Sequence, residues 1–375
     1  MVPQQRRARG NDVQRPTPHP ALSLRERVPR ATPFKAQTDS GVSILIFILR
    51  VLATLVIVGA TAWGAGLLLF RLSGMTATAA AIGFGLAGLA GAIGLWTGAA
   101  RLPLSFAVLF VGLLGWWSGF MPSHQRDWIP ELARLPSIAR EGDTITVTNL
   151  RNFNWRTERD YDQVWETRSY DLSKVEGIDL FLSYWSGEAI AHLLVSFPFA
   201  DQPPLTFSIE VRREKGEEWS ALAGFFRSYE MAYVAAPERD LVGLRSHARK
   251  EDVRLFRIAA TPEQARDVLL AFVADVNELA REPRWYNTLM TNCTTVVFRL
   301  VGTVAPQWKF SLPLDPRVLL SGFLPGYLQR IGAVRGDIPL EELVRQGRIS
   351  ERARAVSLDD PAFSQKIREG VPTAR

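Results

Sequence analysis

One cysteine and four histidines bound the nucleophilic chemistry open to this 375-residue chain. A thiolate is the reactive form of cysteine, and a helix N-terminus favours it through unpaired N–H groups and the positive end of the helix dipole. Cys293 stands in that setting. Val296, Val297, Leu300 and Val301 recur at helical spacing behind it, and Asn292 before it is a good N-cap residue. The plainer alternative is a small buried apolar residue, the common fate of an unpaired cysteine.

A thiol nucleophile needs a base. His19 lies in a proline- and arginine-rich tail, and His124 follows an apolar segment, where exposure or a headgroup contact is the simpler reading. His247 stands among Arg245, Arg249 and Lys250 and reads as part of a solvated loop. His192 differs, because it interrupts the apolar run Ala189–Phe197, where a polar ring needs a partner. A backbone carbonyl would satisfy it without catalysis. On the next strand-like run, Leu205–Arg213, Glu210 alternates with apolar residues. If the two runs pair as a hairpin, Glu210 falls near His192 and fixes its tautomer, completing a nucleophile–base–orienter set. The competing reading is an ion pair from Glu210 to Arg212 or Arg213, while Glu188 and Ser196 are weaker candidates for the orienting role. Arg212, Arg213 and Arg239 are expected in ion pairs rather than on a phosphate headgroup.

No His/Cys cluster has metal-ligand spacing, and phosphate-binding glycine loops and a nucleophile elbow are missing, so neither a metal nor a cofactor is expected. A lone cysteine also excludes an internal disulfide.

The elements that must position these residues belong to unlike regions. Residues 1–40 carry eight basic side chains against three acidic ones, residues 41–125 only Arg50, Arg71 and Arg101, and the remainder is slightly acidic. The net charge of +6 therefore belongs to the tail and the apolar region, which argues against a nucleic-acid surface. The apolar region holds three stretches long enough to span a bilayer, near 46–70, 76–99 and 103–121. The middle one is rich in Gly and Ala (Ala79, Ala80, Ala81, Gly83, Gly85, Gly88, Gly91), which lets helices approach closely. The basic tail predicts a cytoplasmic N-terminus, and three crossings then put everything after Phe120 on the opposite side. Trp116, Trp117 and Trp128 suit an interfacial belt.

The sequence thus divides into a disordered basic tail (1–42), a three-helix anchor (43–121), a folded α+β domain (122–335) and a C-terminal extension (336–375). Strands are predicted at Thr144–Leu150, Gln163–Ser169, Ile178–Tyr184, Ala189–Phe197, Leu205–Arg213, Glu230–Ala235 and Val253–Ile258. Thr261 followed by Pro262 announces a helix through Leu279. The last seventy residues read as loops, one helix near Pro316–Ile331 and a polar tail.

The strings Gly187–Phe197, Ser208–Glu217, Tyr229–Val234 with Glu238–Asp240, and Trp285–Thr295 together resemble the Lnb N-terminal periplasmic domain family, over about residues 125–335. The family includes a bacterial lipoprotein N-acyltransferase dependent on a cysteine and a histidine. The Asn292-Cys293-Thr294-Thr295 motif is also similar to circularly permuted papain-like (NlpC/P60-like) thiol enzymes. The resemblance implies Cys293 as nucleophile, His192 as base and Glu210 as orienter. It also implies an inner-membrane acyltransferase with a periplasmic domain, working on membrane lipids and lipoproteins. The three-helix anchor departs from the family's pattern and leaves a membrane-tethered cysteine hydrolase as the alternative. A non-catalytic envelope scaffold is the third class.

Overall fold

The computed structural model describes residues 38–304 and 315–373. The expectations for the tail up to residue 37, His19 included, lie outside the described residues. The chain divides into two compact units between Leu55 and Val56. The described part of the first is the opening of helix α1 (Thr38–Arg71), where Thr54 Oγ1 donates to the Arg50 carbonyl at 2.8 Å.

The second unit contains the rest of α1, then α2 (Gly74–Thr97) and α3 (Arg101–Ser118). The apolar stretches of these three helices, 31, 24 and 18 residues long, suffice to cross a bilayer. Ile57, Phe84 and Phe106 form their small shared core. Part of the Gly/Ala stripe serves close approach: a Cβ on Gly91 would sit 3.2 Å from Phe106, whereas Gly83 and Gly85 meet nothing.

Beyond the helices lies an α+β domain. A three-stranded antiparallel sheet runs β1 (Ser137–Glu141), β2 (Thr144–Arg151), β5 (Trp165–Asp171), with a small ribbon of β3 (Asn154–Trp155) and β4 (Tyr161–Asp162) beside it. The main sheet has five antiparallel strands in the order β10 (Asp252–Arg257), β6 (Asp179–Ser186), β7 (Ile190–Phe197), β8 (Leu205–Arg212), β9 (Glu230–Pro237). All seven predicted strands are present within about two residues at each end; β1 and the ribbon were too short or too polar to stand out.

Strand alternation gives the main sheet two chemically different faces. Leu193, Val195 and Phe197 of β7, with Leu205, Phe207 and Ile209 of β8, pack against α5 (Pro262–Arg281) and α6 (Cys293–Val304). Helix α5 begins on the capping box of Thr261 and Gln264, as the Thr-Pro signal predicts. The opposite face carries Phe181, Leu194, Val234 and Ala236 together with buried polar residues, and α4 (Glu238–Gly243) and the chain terminus cover it.

Two expectations for the C-terminal segment need correction. The helix near Pro316–Ile331 is broken into α7 (Pro316–Leu319), a 3-10 turn at Ser321–Phe323 and α8 (Leu324–Arg330). The break fits the turn against the start of β7: a Cβ on Gly322 would meet the Glu188 and Ala189 backbone. The polar tail is in fact folded, as α9 (Leu340–Gly347), α10 (Ser350–Ala355) and α11 (Phe363–Lys366). Ile349, Ala353, Phe363, Ile367 and Val371 complete the second core.

Candidate active site

Cys293 is the first residue of α6, and the cap forms as its sequence suggests. Asn292 Oδ1 accepts from the Thr294 and Thr295 amides at 2.9 and 2.8 Å, and Thr295 Oγ1 accepts from the Asn292 amide at 3.0 Å. Asn292 Nδ2 also donates to the Thr288 carbonyl at 2.7 Å, tying the cap to the loop before it. The thiol is 9% exposed.

His192 lies on β7 and Glu210 on β8, two antiparallel neighbours. The ladder joins Leu194–Phe197 to Leu205–Ser208 and stops there, so His192 and Glu210 stand just past its end, where the strands separate. Into that gap Cys293 brings its sulfur. The Leu193 amide donates to the thiol, and His192 interacts with it directly. His192 Nε2 lies 2.7 Å from Ser208 Oγ and 3.2 Å from Glu210 Oε1, and Ser208 Oγ donates to Glu210 Oε1 at 2.6 Å. With Nε2 so engaged, Nδ1 is the ring nitrogen left for the thiol.

Burial opposes ionisation of each member, and mutual pairing overcomes it. For His192, burial is outweighed first by the Glu210 charge, which carries its pKa up to about 9. For Cys293, burial is outweighed by the hydrogen bond and charge of His192, then by the Leu193 amide and the Thr294 hydroxyl, so the thiol falls below its ordinary value. Glu210 is held well below the usual carboxylate range, despite burial, by His192 and Arg245. The arrangement thus biases the set toward a thiolate beside an imidazolium, backed by a carboxylate.

Glu210 does not pair with Arg212 or Arg213. Its cationic partner is Arg245, 5% exposed, with Nη2 3.2 Å from Glu210 Oε1. Arg245 also lies 3.5 Å from Glu251 Oε2, to which Ser183 Oγ donates. The sequence reading passed over Arg245 as one of a run of surface charges; it sits in a π-helical turn, Leu244–Ala248, that follows buried Leu241 and Val242. Those apolar neighbours were the available signal. His247 is likewise not a solvated loop residue: Ser246 Oγ and the Val356 carbonyl satisfy it at 2.9 and 3.1 Å.

Other candidates lie away from the thiol. Glu188 pairs with Arg254 at 2.7 Å, and Ser196 donates to Glu238 at 2.6 Å within a separate buried network. His124, partly exposed, bridges the Leu279 carbonyl (2.8 Å) and Arg212 (3.2 Å). Arg212 binds the Leu132 and Ala133 carbonyls at 3.0 Å each and lies 4.3 Å from the ring centre of Trp128, which is itself buried rather than interfacial. Arg239 does form an ion pair, with Asp359 at 3.2 Å.

The catalytic candidates line a cleft of about 740 Å³. Arg249, Lys250 and Glu158 give it polar walls, and Trp185, Trp219, Ile190 and Leu319 give it apolar ones. Among the described residues no cluster suits a metal ion.

Residues 161–322 match the family model described as the Lnb N-terminal periplasmic domain. That segment includes Cys293, His192, Glu210 and Arg245 and bears out the family resemblance, over a shorter span than the motifs suggested. With its three apolar helices, the chain is a membrane protein with a periplasmic domain. No curated protein and no solved structure matches it.

Proposed function

We propose that this membrane protein with its Lnb-type periplasmic domain is a thiol acyltransferase of the inner membrane, resembling lipoprotein N-acyltransferases and working through a thioester on Cys293. The observation that carries the reading is the meeting of Cys293, His192 and Glu210 at the point where β7 and β8 part. In the first half-reaction the Cys293 thiolate attacks the carbonyl carbon of an acyl ester. The S–C bond forms, the ester C–O bond breaks, and the His192 imidazolium protonates the departing alkoxide. In the second, a primary amine attacks the thioester, the C–N bond forms, the C–S bond breaks, and His192 takes the amine proton. Glu210 reaches the imidazole directly and through Ser208, with Arg245 as its other partner, and so positions and charges the base. The Leu193 amide, already directed at the sulfur, is a donor for the developing oxyanion.

An N-terminal tail held in the cytoplasm by its basic charge, and a permuted papain-like arrangement of the domain, complete this reading. A helix that presents the nucleophile to a strand bearing the base supports that arrangement. The second reading, a tethered cysteine peptidase or amidase, draws on the polar wall of Arg249, Lys250 and Glu158, which suits a peptide better than an acyl chain.

Intact-mass analysis of the purified full-length chain after incubation with phospholipid tests the proposal. The expected result is one acyl adduct, released by neutral hydroxylamine and missing from Cys293→Ala. Mass spectrometry of lipoprotein N-termini is the cellular counterpart. If no adduct forms and no amide-linked chain depends on the gene, acyl transfer is wrong. Full complementation by both Cys293→Ala and His192→Ala would leave only a scaffold.

A further inference from the structure

The α+β domain does not hang from its anchor on a loose tether. Just after α3 the Ser123 amide donates to Glu230 Oε1 at 3.1 Å, and Arg126 pairs with Glu214 (2.8 Å) and Glu230 (2.9 Å). His124 adds its bond to the Leu279 carbonyl on α5. A second clamp comes from the loop between β8 and β9. Phe226 stacks on Phe70 of α1 at 5.3 Å between ring centres and packs against Trp63 at 6.0 Å. It fills the space left by Gly66, where a Cβ would come within 2.7 Å of the ring. Arg227 follows in the left-handed region (φ 56°), its carbonyl accepting from Arg71 at 2.9 Å and its guanidinium 3.9 Å from the Trp117 ring centre.

These contacts fix the height of the loop relative to the end of α1. Gly66 lies five residues, about 7.5 Å, inside the end of α1 at Arg71. Leu222 precedes the single 3-10 turn Ala223–Phe226, a rise of about 8 Å. Even if that turn ran straight outward, Leu222 would rise only to about the level of Arg71, where the apolar span of α1 ends. Leu222 is 61% exposed, and Leu289 and Met290 on the adjoining loop are 44% and 68% exposed. The two loops are joined: Thr288 Oγ1 donates to the Ala221 carbonyl at 2.8 Å, and Gly224 packs against Thr288. Ala221, Thr288 and Trp219 are also cleft-lining residues, and Trp219 meets Trp185 edge-on at 5.0 Å across it.

We infer that residues 219–227 and 288–290 form a rim inserted into the leaflet, and that the Cys293 cleft opens sideways through this rim into the bilayer. The occupant of the exposed apolar rim is therefore lipid, since the rim continues an interface already made with the membrane helices. A chain entering from the leaflet passes Trp219 and Trp185 on its way to the thiol. Lateral entry rests on the acyl-transfer reading for its substrate; insertion of the rim does not.

Because Cys293 is the chain's single cysteine, Cys293→Ser provides a background for site-specific labelling. Leu222→Cys, Met290→Cys and, as a control, Arg345→Cys are to be labelled in that full-length background with an environment-sensitive fluorophore and placed in phosphatidylethanolamine/phosphatidylglycerol nanodiscs. Nitroxide on the lipid acyl chain is expected to quench positions 222 and 290 about twofold or more and to leave 345 untouched. If 222 and 290 respond only to an aqueous quencher, as 345 should, the rim is not inserted. In the otherwise native chain, Leu222→Asp/Met290→Asp is expected to lower the ratio of vesicle-borne to water-soluble acyl-ester turnover about tenfold. An unchanged ratio overturns lateral entry. If the native chain turns over neither ester, the acyl-transfer reading falls and lateral entry with it, while the quenching result still decides the rim.

Discussion

Glu210 faces His192 across the parting of β7 and β8, its Oε1 3.2 Å from the imidazole Nε2, and Ser208 bridges the two. A carboxylate in this position spreads its effect along a chain. It charges the imidazole, the imidazolium lowers the thiol, and His192 and then Arg245 outweigh burial to hold the carboxyl low. The ionisations therefore belong to the group as a unit.

The pH profile of turnover follows in sign. Activity is expected to rise as the lowered thiol ionises, and to fall as His192 loses its proton near pH 9. Glu210→Gln removes the charge that lifts His192, so the alkaline limb moves to lower pH. The thiol, deprived of imidazolium, moves up, and the plateau narrows by about one unit or more from the two sides together. Turnover against pH, with iodoacetamide alkylation reporting the thiol separately, checks this. An alkaline limb unmoved by Glu210→Gln would remove Glu210 from the set.

Asn292 offers a way to separate folding from reactivity. Asn292→Ala is expected to cost about 1 kcal/mol of stability through loss of the α6 cap. Asn292→Asp keeps the cap acceptor but loses the donation to Thr288 and puts a negative charge beside the thiolate. That variant should unfold near the native temperature yet alkylate more slowly at neutral pH, by up to about tenfold for one unit in the thiol pKa. Thermal unfolding and alkylation rates measured on the same samples decide it. Equal losses in both would mean that Asn292 acts on the fold alone.

The sequence was most readable where local periodicity governs. His192 and Glu210 stood out because each breaks an alternating apolar strand, and Cys293 because a cap and an apolar helical stripe frame it. Arg245 and Glu251 were hidden for the opposite reason. Each is drawn into the site by partners far away in the chain: Arg245 pairs with Glu210, and Glu251 accepts from Ser183. A run of charges gives no local sign of burial. The folded tail was missed on similar grounds, since Phe363, Ile367 and Val371 recur four apart but α11 is a single turn among charges. Its reason to fold is the face of the main sheet, not its own propensity.

One cation ties the end of that tail to the main sheet. Arg368, 13% exposed, lies 2.8 Å from Asp179 and 2.5 Å from Glu238, and Glu238 in turn accepts from Ser196 on β7. Arg368→Ala leaves Glu238 with the Ser196 hydroxyl and Asp179 with the partly exposed Arg257 at 3.2 Å, and is expected to destabilise the domain by about 3 kcal/mol. Burial already raises the Asp179 pKa, and losing Arg368 raises it further. A carboxyl whose folded pKa lies above its unfolded value favours the folded state when protonated, so the deficit should shrink as pH falls. Thermal unfolding of detergent-solubilised protein at neutral and acidic pH tests this, with Arg368→Lys expected to recover part of the loss. A deficit constant with pH would point to lost packing instead of stranded charge.

Gly322 carries the last expectation, because it sets the distance between the 3-10 turn and the strand that bears His192. The Gly322 amide donates to the Ala189 carbonyl at 3.0 Å, the Gly322 carbonyl accepts from Tyr184 Oη at 2.8 Å, and Ser321 Oγ accepts from the Ala191 amide at 3.0 Å. A methyl group at 322 has no flexible side chain to displace, only backbone, so Gly322→Ala must push the turn off β7. A cost of about 1–3 kcal/mol is expected from overpacking. His192 lies one residue beyond Ala191, so the same shift disturbs the imidazole. Turnover at the optimum pH should fall more than the unfolded fraction explains, while Gly332→Ala, at a turn where a Cβ meets nothing, should alter stability without that excess. If turnover in Gly322→Ala tracks the folded fraction alone, the turn supports the fold but does not position the base.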